Sequence, residues 1–114
     1  MKLFTMEDGY QETSPAGFTK RMLHQTPQAR VFVLNFEPGQ TLPAHAHADS
    51  EVVLTVVAGE GQATVDGRVQ PIRVGTLLQC EGAETLSVEN TGGSRLSLLV
   101  FLYPGNPRFA GNVR

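Results

Sequence analysis

Short apolar runs separated by glycine- and proline-containing turns make up most of this chain. Residues 30–36 are rich in β-branched and aromatic side chains and end at Pro38 and Gly39, which is typical of a strand followed by a turn. Similar runs recur at intervals of roughly 8–12 residues, and no segment keeps helical periodicity over three turns. The pattern predicts an all-β fold, specifically a jelly-roll β-barrel with little or no helix.

The strands and turns can be assigned along most of the chain. Asp66 and Gly67 form a dipeptide suited to a type I′ hairpin turn. Residues 52–57 are apolar at every position except Thr55, so both faces of that strand are expected to be covered, and this predicts a homodimer or larger closed assembly. The predicted strands are 19–24, 30–36, a strand carrying His45 and His47, 51–58, 62–66, 68–73, 77–80, 85–89 and 95–103.

The length of 114 residues predicts one domain with a single core. Residues 1–17 show neither helical nor alternating periodicity and are predicted to be an irregular lead-in. The barrel is predicted to span residues 18–103, and residues 104–114 are predicted to be a loop-like tail.

Charge and cysteine content narrow the classes of partner. Nine basic and eleven acidic residues leave a net charge of −2 without a run of either sign, which disfavours nucleic acid and anionic membranes. No apolar stretch has the length of a signal peptide core or a membrane span. Cys80 is the only cysteine and is expected to be a small buried apolar residue. We therefore expect a soluble cytoplasmic protein.

Two histidines and a carboxylate are the strongest candidates for a functional site. On a strand, His45 and His47 project from the same face with Cα atoms about 6.5–7 Å apart, so that both rings can reach one metal ion. Glu51 follows closely and would complete a two-histidine, one-carboxylate set suited to divalent iron and neighbouring metals. The candidate metal ligands are therefore His45, His47 and Glu51.

The residues around these histidines resemble the first motif of the cupin superfamily, whose members are small jelly-roll barrels, also described as double-stranded β-helices. That motif is a glycine, five residues, His-x-His, three or four residues, a glutamate, six residues and a glycine. Gly39, His45 and His47 match it without adjustment, and Glu51 follows after three residues. Seven residues, and not six, separate Glu51 from Gly59, and counting back from Gly59 places Val52 in the glutamate position.

The second cupin motif is matched only in part. Gly75 and Asn90 stand where it requires them, but Glu81 occupies the proline position, Ala83 the second glycine position and Leu86 the histidine position. In cupins that bind metal through three histidines and a glutamate, this last histidine is a ligand. Leu86 therefore predicts a more apolar barrel interior and a dry small-molecule pocket. Residues on or beside predicted barrel strands that could replace the missing ligand are His24, Gln79, Glu84 and Tyr103.

Glu51 has two alternative placements. A displacement of one residue along a strand turns a side chain to the opposite face, so Glu51 points outward unless a β-bulge or a longer loop turns it inward.

Hypotheses of three classes follow from the resemblance and these departures. In the first, His45, His47 and Glu51 hold one iron, manganese, nickel or zinc ion, and the resemblance implies dioxygenase, decarboxylase or isomerase activity. In the second, the barrel binds a small ligand without metal or catalysis, as a sensor or storage protein, and the histidines form hydrogen bonds. A third, weaker hypothesis is a purely structural dimer.

Overall fold

The computed structural model describes residues 1–105, which form two antiparallel β-sheets and one short 3₁₀ helix. The prediction of an all-β barrel with almost no helix is confirmed. The strands are β1 (Thr19–Thr26), β2 (Ala29–Phe36), β3 (Thr41–His45), β4 (Ser50–Ala58), β5 (Glu60–Val65), β6 (Arg68–Arg73), β7 (Leu77–Glu81), β8 (Leu86–Glu89) and β9 (Leu96–Pro104).

The two sheets face each other as the halves of a double-stranded β-helix. The larger sheet has the strand order β1-β2-β9-β4-β7, and the smaller has the order β3-β8-β5-β6. In both sheets a strand from late in the chain lies between earlier ones, β9 between β2 and β4 and β8 between β3 and β5, as expected for a jelly roll. Within residues 1–105, no helix has the length and apolar character needed to cross a membrane.

The core lies between the sheets and follows the alternation of the strands. In β4, Val52, Leu54 and Val56 are buried, whereas the residues between them are only partly covered. Phe36, Leu96 and Leu98 are fully buried opposite the smaller sheet. One face of each strand therefore points into the barrel, and the position of a residue in this alternation decides whether it can reach the interior.

Two turns show why the sequence folds in this register. Asp66 and Gly67 both have positive φ angles, 48° and 80°, between the paired residues Val65 and Arg68, which confirms the predicted type I′ hairpin. Asn90 is 1% exposed and closes the turn before β9: its side-chain amide donates to the carbonyl oxygens of Phe36 and Ser94, each at 2.9 Å. The asparagine of the second motif thus has a structural role.

The lead-in is more ordered than the sequence predicts. Residues Met6–Gly9 form one turn of 3₁₀ helix that packs on β1 and β2. Gly9 is buried against Val33, and its carbonyl oxygen accepts a hydrogen bond of 3.0 Å from the side chain of Asn35. This segment therefore covers part of the outer face of the larger sheet. The predicted tail begins at Pro104, the last residue of β9, and residues 106–114 lie outside the described residues.

An apolar patch on the same outer face lies beside the part covered by the lead-in. In the strand register Val31, Phe101 and Val53 stand in one row, and Leu99 and Leu77 stand in the next row with Thr55 between them. Leu77 is 70% exposed and Phe101 is 40% exposed. We call these five apolar residues the outer patch.

Candidate ligand-binding site

The two histidines lie side by side at one end of the barrel, although one belongs to a strand and the other to the loop that follows it. His45 is the last residue of β3 and is paired with Leu86 of β8. His47 lies just beyond the strand, in a loop where Asp49 has a positive φ of 65° and the Ser50 amide donates to the His47 carbonyl oxygen. The prediction that one strand carries both histidines is therefore correct only for His45. The two rings nevertheless lie 4.6 Å apart between centroids and are nearly perpendicular.

Hydrogen-bond partners indicate the tautomers of this pair. Nδ1 of His45 lies 2.8 Å from the carbonyl oxygen of Pro43, which can only accept, so Nδ1 carries a proton and donates it. In a neutral ring Nε2 of His45 is then an acceptor, and it lies 2.9 Å from Nε2 of His47, which donates. Burial lowers the pKa of His47, and the charges of His45, Lys20 and Arg30 lower it further. Both effects favour the uncharged form of the His47 ring.

Gly82 brings the loop between β7 and β8 against the histidine loop. A Cβ atom at this position would collide with the carbonyl oxygens of His47 and Ser50. Only glycine permits this approach, which holds the His47 backbone against the second half of the barrel.

Glu51 is not brought to the histidine pair. It lies on β4 next to Val52, on the face opposite the core, and the pairing of β4 with β9 is continuous from Ser50 to Val56, so no bulge turns it inward. Its carboxylate accepts a hydrogen bond of 3.1 Å from the hydroxyl group of Tyr103. Burial raises the pKa of Tyr103, and the hydrogen bond and charge of Glu51 raise it further. Val52, 7% exposed, occupies the inward position.

The other candidate ligands are also directed elsewhere. Gln79 is exposed and paired with Val53 on the outer face, and Glu84 accepts a hydrogen bond from the backbone amide of Glu81. His24 is exposed on β1, next to the register shift in its pairing with β2. Among residues 1–105 there is no group of three or more histidine, cysteine, aspartate or glutamate side chains arranged to hold a metal ion.

Behind the histidine pair is a cavity of about 220 Å³ between the two sheets. Its walls are predominantly apolar, and its polar side chains are all basic. The lining residues are Phe18, Lys20, Arg30, Phe32, Leu34, Leu42, His45, His47, Val52, Leu54, Leu86, Val88, Leu98, Val100 and Leu102. Leu86 is 5% exposed, so the cupin histidine position is an apolar part of this wall. The prediction of an apolar interior at this position agrees with the structure.

A wider depression of about 550 Å³ lies outside the cavity, and we call it the vestibule. It is formed by the turn between β1 and β2, by Ser50 and by the end of β9. Arg30, His47 and Leu102 line both spaces, so the vestibule leads to the cavity past the histidine pair.

Lys20 and Arg30 are the site residues that the sequence analysis missed. Arg30 stands two residues before Phe32 and four before Leu34, and the alternation of this strand could have placed it on the inner face. Lys20 is paired with Leu34, and its ammonium group lies 4.4 Å from the centroid of the Phe32 ring.

Comparison with known proteins agrees with this architecture. The model of the Cupin domain family matches residues 32–102, which include both histidines and most of the cavity wall. The chain belongs to the cupin family. This cupin is 28% identical over 85 residues to the oxalate-binding protein of Thermotoga maritima, a match covering 74% of this chain and 69% of that protein.

Solved structures resemble this cupin over most of its length. A protein from Thermus thermophilus superposes with a TM-score of 0.85 at 21% identity, covering 91% of this chain and 98% of that one. A predicted oxalate decarboxylase from Thermotoga maritima superposes with a TM-score of 0.69 at 25% identity, covering 75% of this chain and 81% of that one. The likeness to the first establishes the fold alone.

Proposed function

We propose that this cupin binds a small organic molecule in the barrel without catalysing a reaction on it. The observation that carries the proposal is the cavity itself, in which Val52 and Leu86 replace the glutamate and histidine that metal-binding cupins use as ligands. The histidine pair at the entrance supplies polar atoms that can orient a ligand. The name of the Thermotoga maritima oxalate-binding protein supports a binding role in a related barrel.

The cavity limits the size and affinity of the ligand. Its volume of about 220 Å³ is smaller than the roughly 300–1,000 Å³ of most drug-binding pockets, so the buried part is the size of a short chain or a single ring. Burying about 150 Å² of apolar ligand surface contributes roughly 4 kcal/mol, which corresponds to about millimolar affinity. Polar contacts at the entrance add to this value.

A pair of variants on β4 tests the proposal. Val52→Phe places a ring in the cavity, whereas Val53→Phe places the same ring on the outer face. Benzoate, benzamide and benzyl alcohol should shift the NMR signals of the cavity methyl groups in the native protein and in Val53→Phe. These shifts should be lost in Val52→Phe. If none of the three compounds shifts these signals at millimolar concentration in the native protein, the proposal is wrong.

A divalent metal on the histidine pair is the second candidate. In octahedral coordination, two nitrogens that bind one ion at right angles, each at about 2.1 Å, are roughly 3.0 Å apart. The 2.9 Å separation of the two Nε2 atoms fits this arrangement. The described donor set does not fit the four-ligand centre of the family, since Val52 and Leu86 fill the other two positions and Glu51 faces outward.

Elemental analysis of protein purified without a histidine tag separates the two candidates. One equivalent of iron, manganese, nickel or zinc would favour the second candidate and, with it, the dioxygenase, decarboxylase or isomerase chemistry of related barrels. A metal content far below one equivalent, together with methyl shifts on ligand addition, would favour the first.

Assembly and location complete the proposal. We propose a homodimer formed through the outer patch, because the lead-in covers Val33 and Asn35 but leaves Leu77 and Phe101 exposed. We also propose a cytoplasmic location, supported by the free thiol of Cys80.

A further inference from the structure

The charges at the cavity have one sign. Lys20 and Arg30 are the charged side chains among the described residues that line it, and no acidic residue is among them. The vestibule has the same character, since Arg30 and His47 are its ionisable basic residues. The carboxylate of Glu51 lies beside the vestibule, but it accepts a hydrogen bond from Tyr103 on the outer face.

The strand register directs both cations to the inside of the barrel entrance. Arg30 is paired with Leu102, and Lys20 is paired with Leu34, and both partners line the cavity. The ammonium group of Lys20 lies over the ring of Phe32, which is 7% exposed, so this charge stands at the boundary between the apolar wall and solvent. Both charged groups can therefore meet a ligand whose other end is buried.

We propose that the ligand of this cupin is an organic monocarboxylate, with its apolar body between the two sheets and its carboxylate held at the entrance by Arg30 and Lys20. This inference rests on the proposed function and names the class of ligand. A guanidinium group presents a planar pair of N–H donors that matches the two oxygens of a carboxylate. The ammonium group of Lys20 supplies a second positive charge.

The apolar wall sets the other half of the specificity. Eleven of the fifteen lining side chains are apolar, so a small dianion without a hydrocarbon part would leave most of the wall without contacts. We therefore expect benzoate or hexanoate to bind more tightly than oxalate, even though a related protein is named for oxalate binding.

Matched ligand pairs test the carboxylate without changing ligand shape. Calorimetric titration of the native protein with benzoate and benzamide, and with hexanoate and hexanamide, compares a charged head group with a neutral one of nearly the same size. Each acid should bind roughly ten- to hundredfold more tightly than its amide, as expected for charge-assisted hydrogen bonds.

Variants then assign that preference to residues. Arg30→Gln should weaken acid binding at least about tenfold with little effect on the amides, and Lys20→Gln should have a smaller effect in the same direction. Arg68→Gln is the matched control, because it makes the same change in charge on the exposed hairpin outside both spaces. The three residues are exposed, and equal melting temperatures would show that each variant folds.

The outcomes separate this inference from the proposal beneath it. Equal affinity for acids and amides would overturn the proposal that the ligand is a carboxylate, whereas the proposed binding of a small molecule in the barrel would stand. An acid preference that persists in Arg30→Gln and Lys20→Gln would overturn the assignment to these residues. Tighter binding of oxalate than of benzoate and hexanoate would overturn the role of the apolar body. If none of the acids or amides binds, the proposed function fails as well.

Discussion

Replacing Leu86 with histidine is the strongest test of how the barrel interior corresponds to a metal-binding cupin. Leu86 is 5% exposed, lines the cavity and is paired directly with His45 across β3 and β8. A histidine there would place a third imidazole beside the existing pair. The native chain offers two imidazoles and should bind manganese or zinc weakly. Leu86→His should bind these ions at least about tenfold more tightly, because the third imidazole needs to add only about 1.4 kcal/mol of binding free energy for a tenfold gain.

The stability of the variant provides a second, independent readout. Exchanging a buried leucine for an imidazole costs about 2 kcal/mol without metal. For a domain of this size such a loss lowers the melting temperature by roughly 8 °C. Metal at a concentration of about 100 times its dissociation constant returns about 2.7 kcal/mol. The melting temperature of Leu86→His should therefore fall without metal and recover with it.

Calorimetry and thermal melting with manganese and zinc measure both effects. Val88→His is the control, because Val88 lies on the same strand and the same wall, is 2% exposed, and is paired with Leu42 instead of His45. It should lose stability without gaining metal affinity. Equal affinities in the native chain, Leu86→His, Val88→His and His45→Ala would refute the proposed geometry of the pair.

Four further measurements address other parts of the molecule. Light scattering should give about twice the chain mass of 12.3 kDa, and Phe101→Lys should give the monomer; a native monomer at micromolar concentration would contradict the dimer. Asn90→Ala should lower the free energy of unfolding by about 2–4 kcal/mol in urea titrations, because it removes both donor bonds and the 2.9 Å bond accepted from Gly92. Burial raises the pKa of the Cys80 thiol, so the thiolate fraction at pH 7 is reduced and labelling by thiol reagents should be slow until the protein unfolds. Arg30→Gln should tighten manganese binding a few-fold while it weakens benzoate binding, since the lost cation repels one and attracts the other.

The fold was predictable because local turn chemistry and strand alternation agree along the chain. Asp66 and Gly67 adopt the positive φ angles that a type I′ hairpin needs, and few other dipeptides tolerate them. The 3₁₀ turn in the lead-in was missed because it is a single turn, held by capping bonds between Thr5 and Asp8 and by tertiary contacts of Gly9 with Val33 and Asn35. Such contacts leave no periodic signal in the sequence.

Whether Glu51 faces the barrel interior depends on a shift of one residue along β4. The sequence allowed Glu51 or Val52 to face inward, because loops of three or four residues after His47 both fit the cupin motif. Counting back from Gly59 favoured Val52, and the structure agrees with that count. The loop geometry that decides the matter, including the positive φ of Asp49, is set by packing against Gly82 on a distant part of the chain.

Lys20 and Arg30 were missed for a different reason. Charged residues near strand ends usually face solvent, and in most proteins that interpretation is correct. Here the long side chains line the entrance of the cavity, where their aliphatic parts can contact apolar wall while the charged groups stay accessible. The register of β1 against β2 is needed to place Lys20 on the inner face, whereas the alternation of Arg30 with Phe32 and Leu34 is visible in the sequence.

The residues that line the entrance disfavour a bound cation in two ways, because metal ligands of the family pattern are missing and positive charges are present. A glutamate ligand contributes a negative charge that stabilises a bound cation, and Val52 removes it. Leu86 removes a neutral donor, while Lys20 and Arg30 add two positive charges to the lining. All four residues make the binding of a divalent cation near His45 and His47 less favourable. The positive charges of Lys20 and Arg30 also make the binding of an organic anion more favourable. This lining is the reason that we propose a carboxylate ligand and not a resident metal.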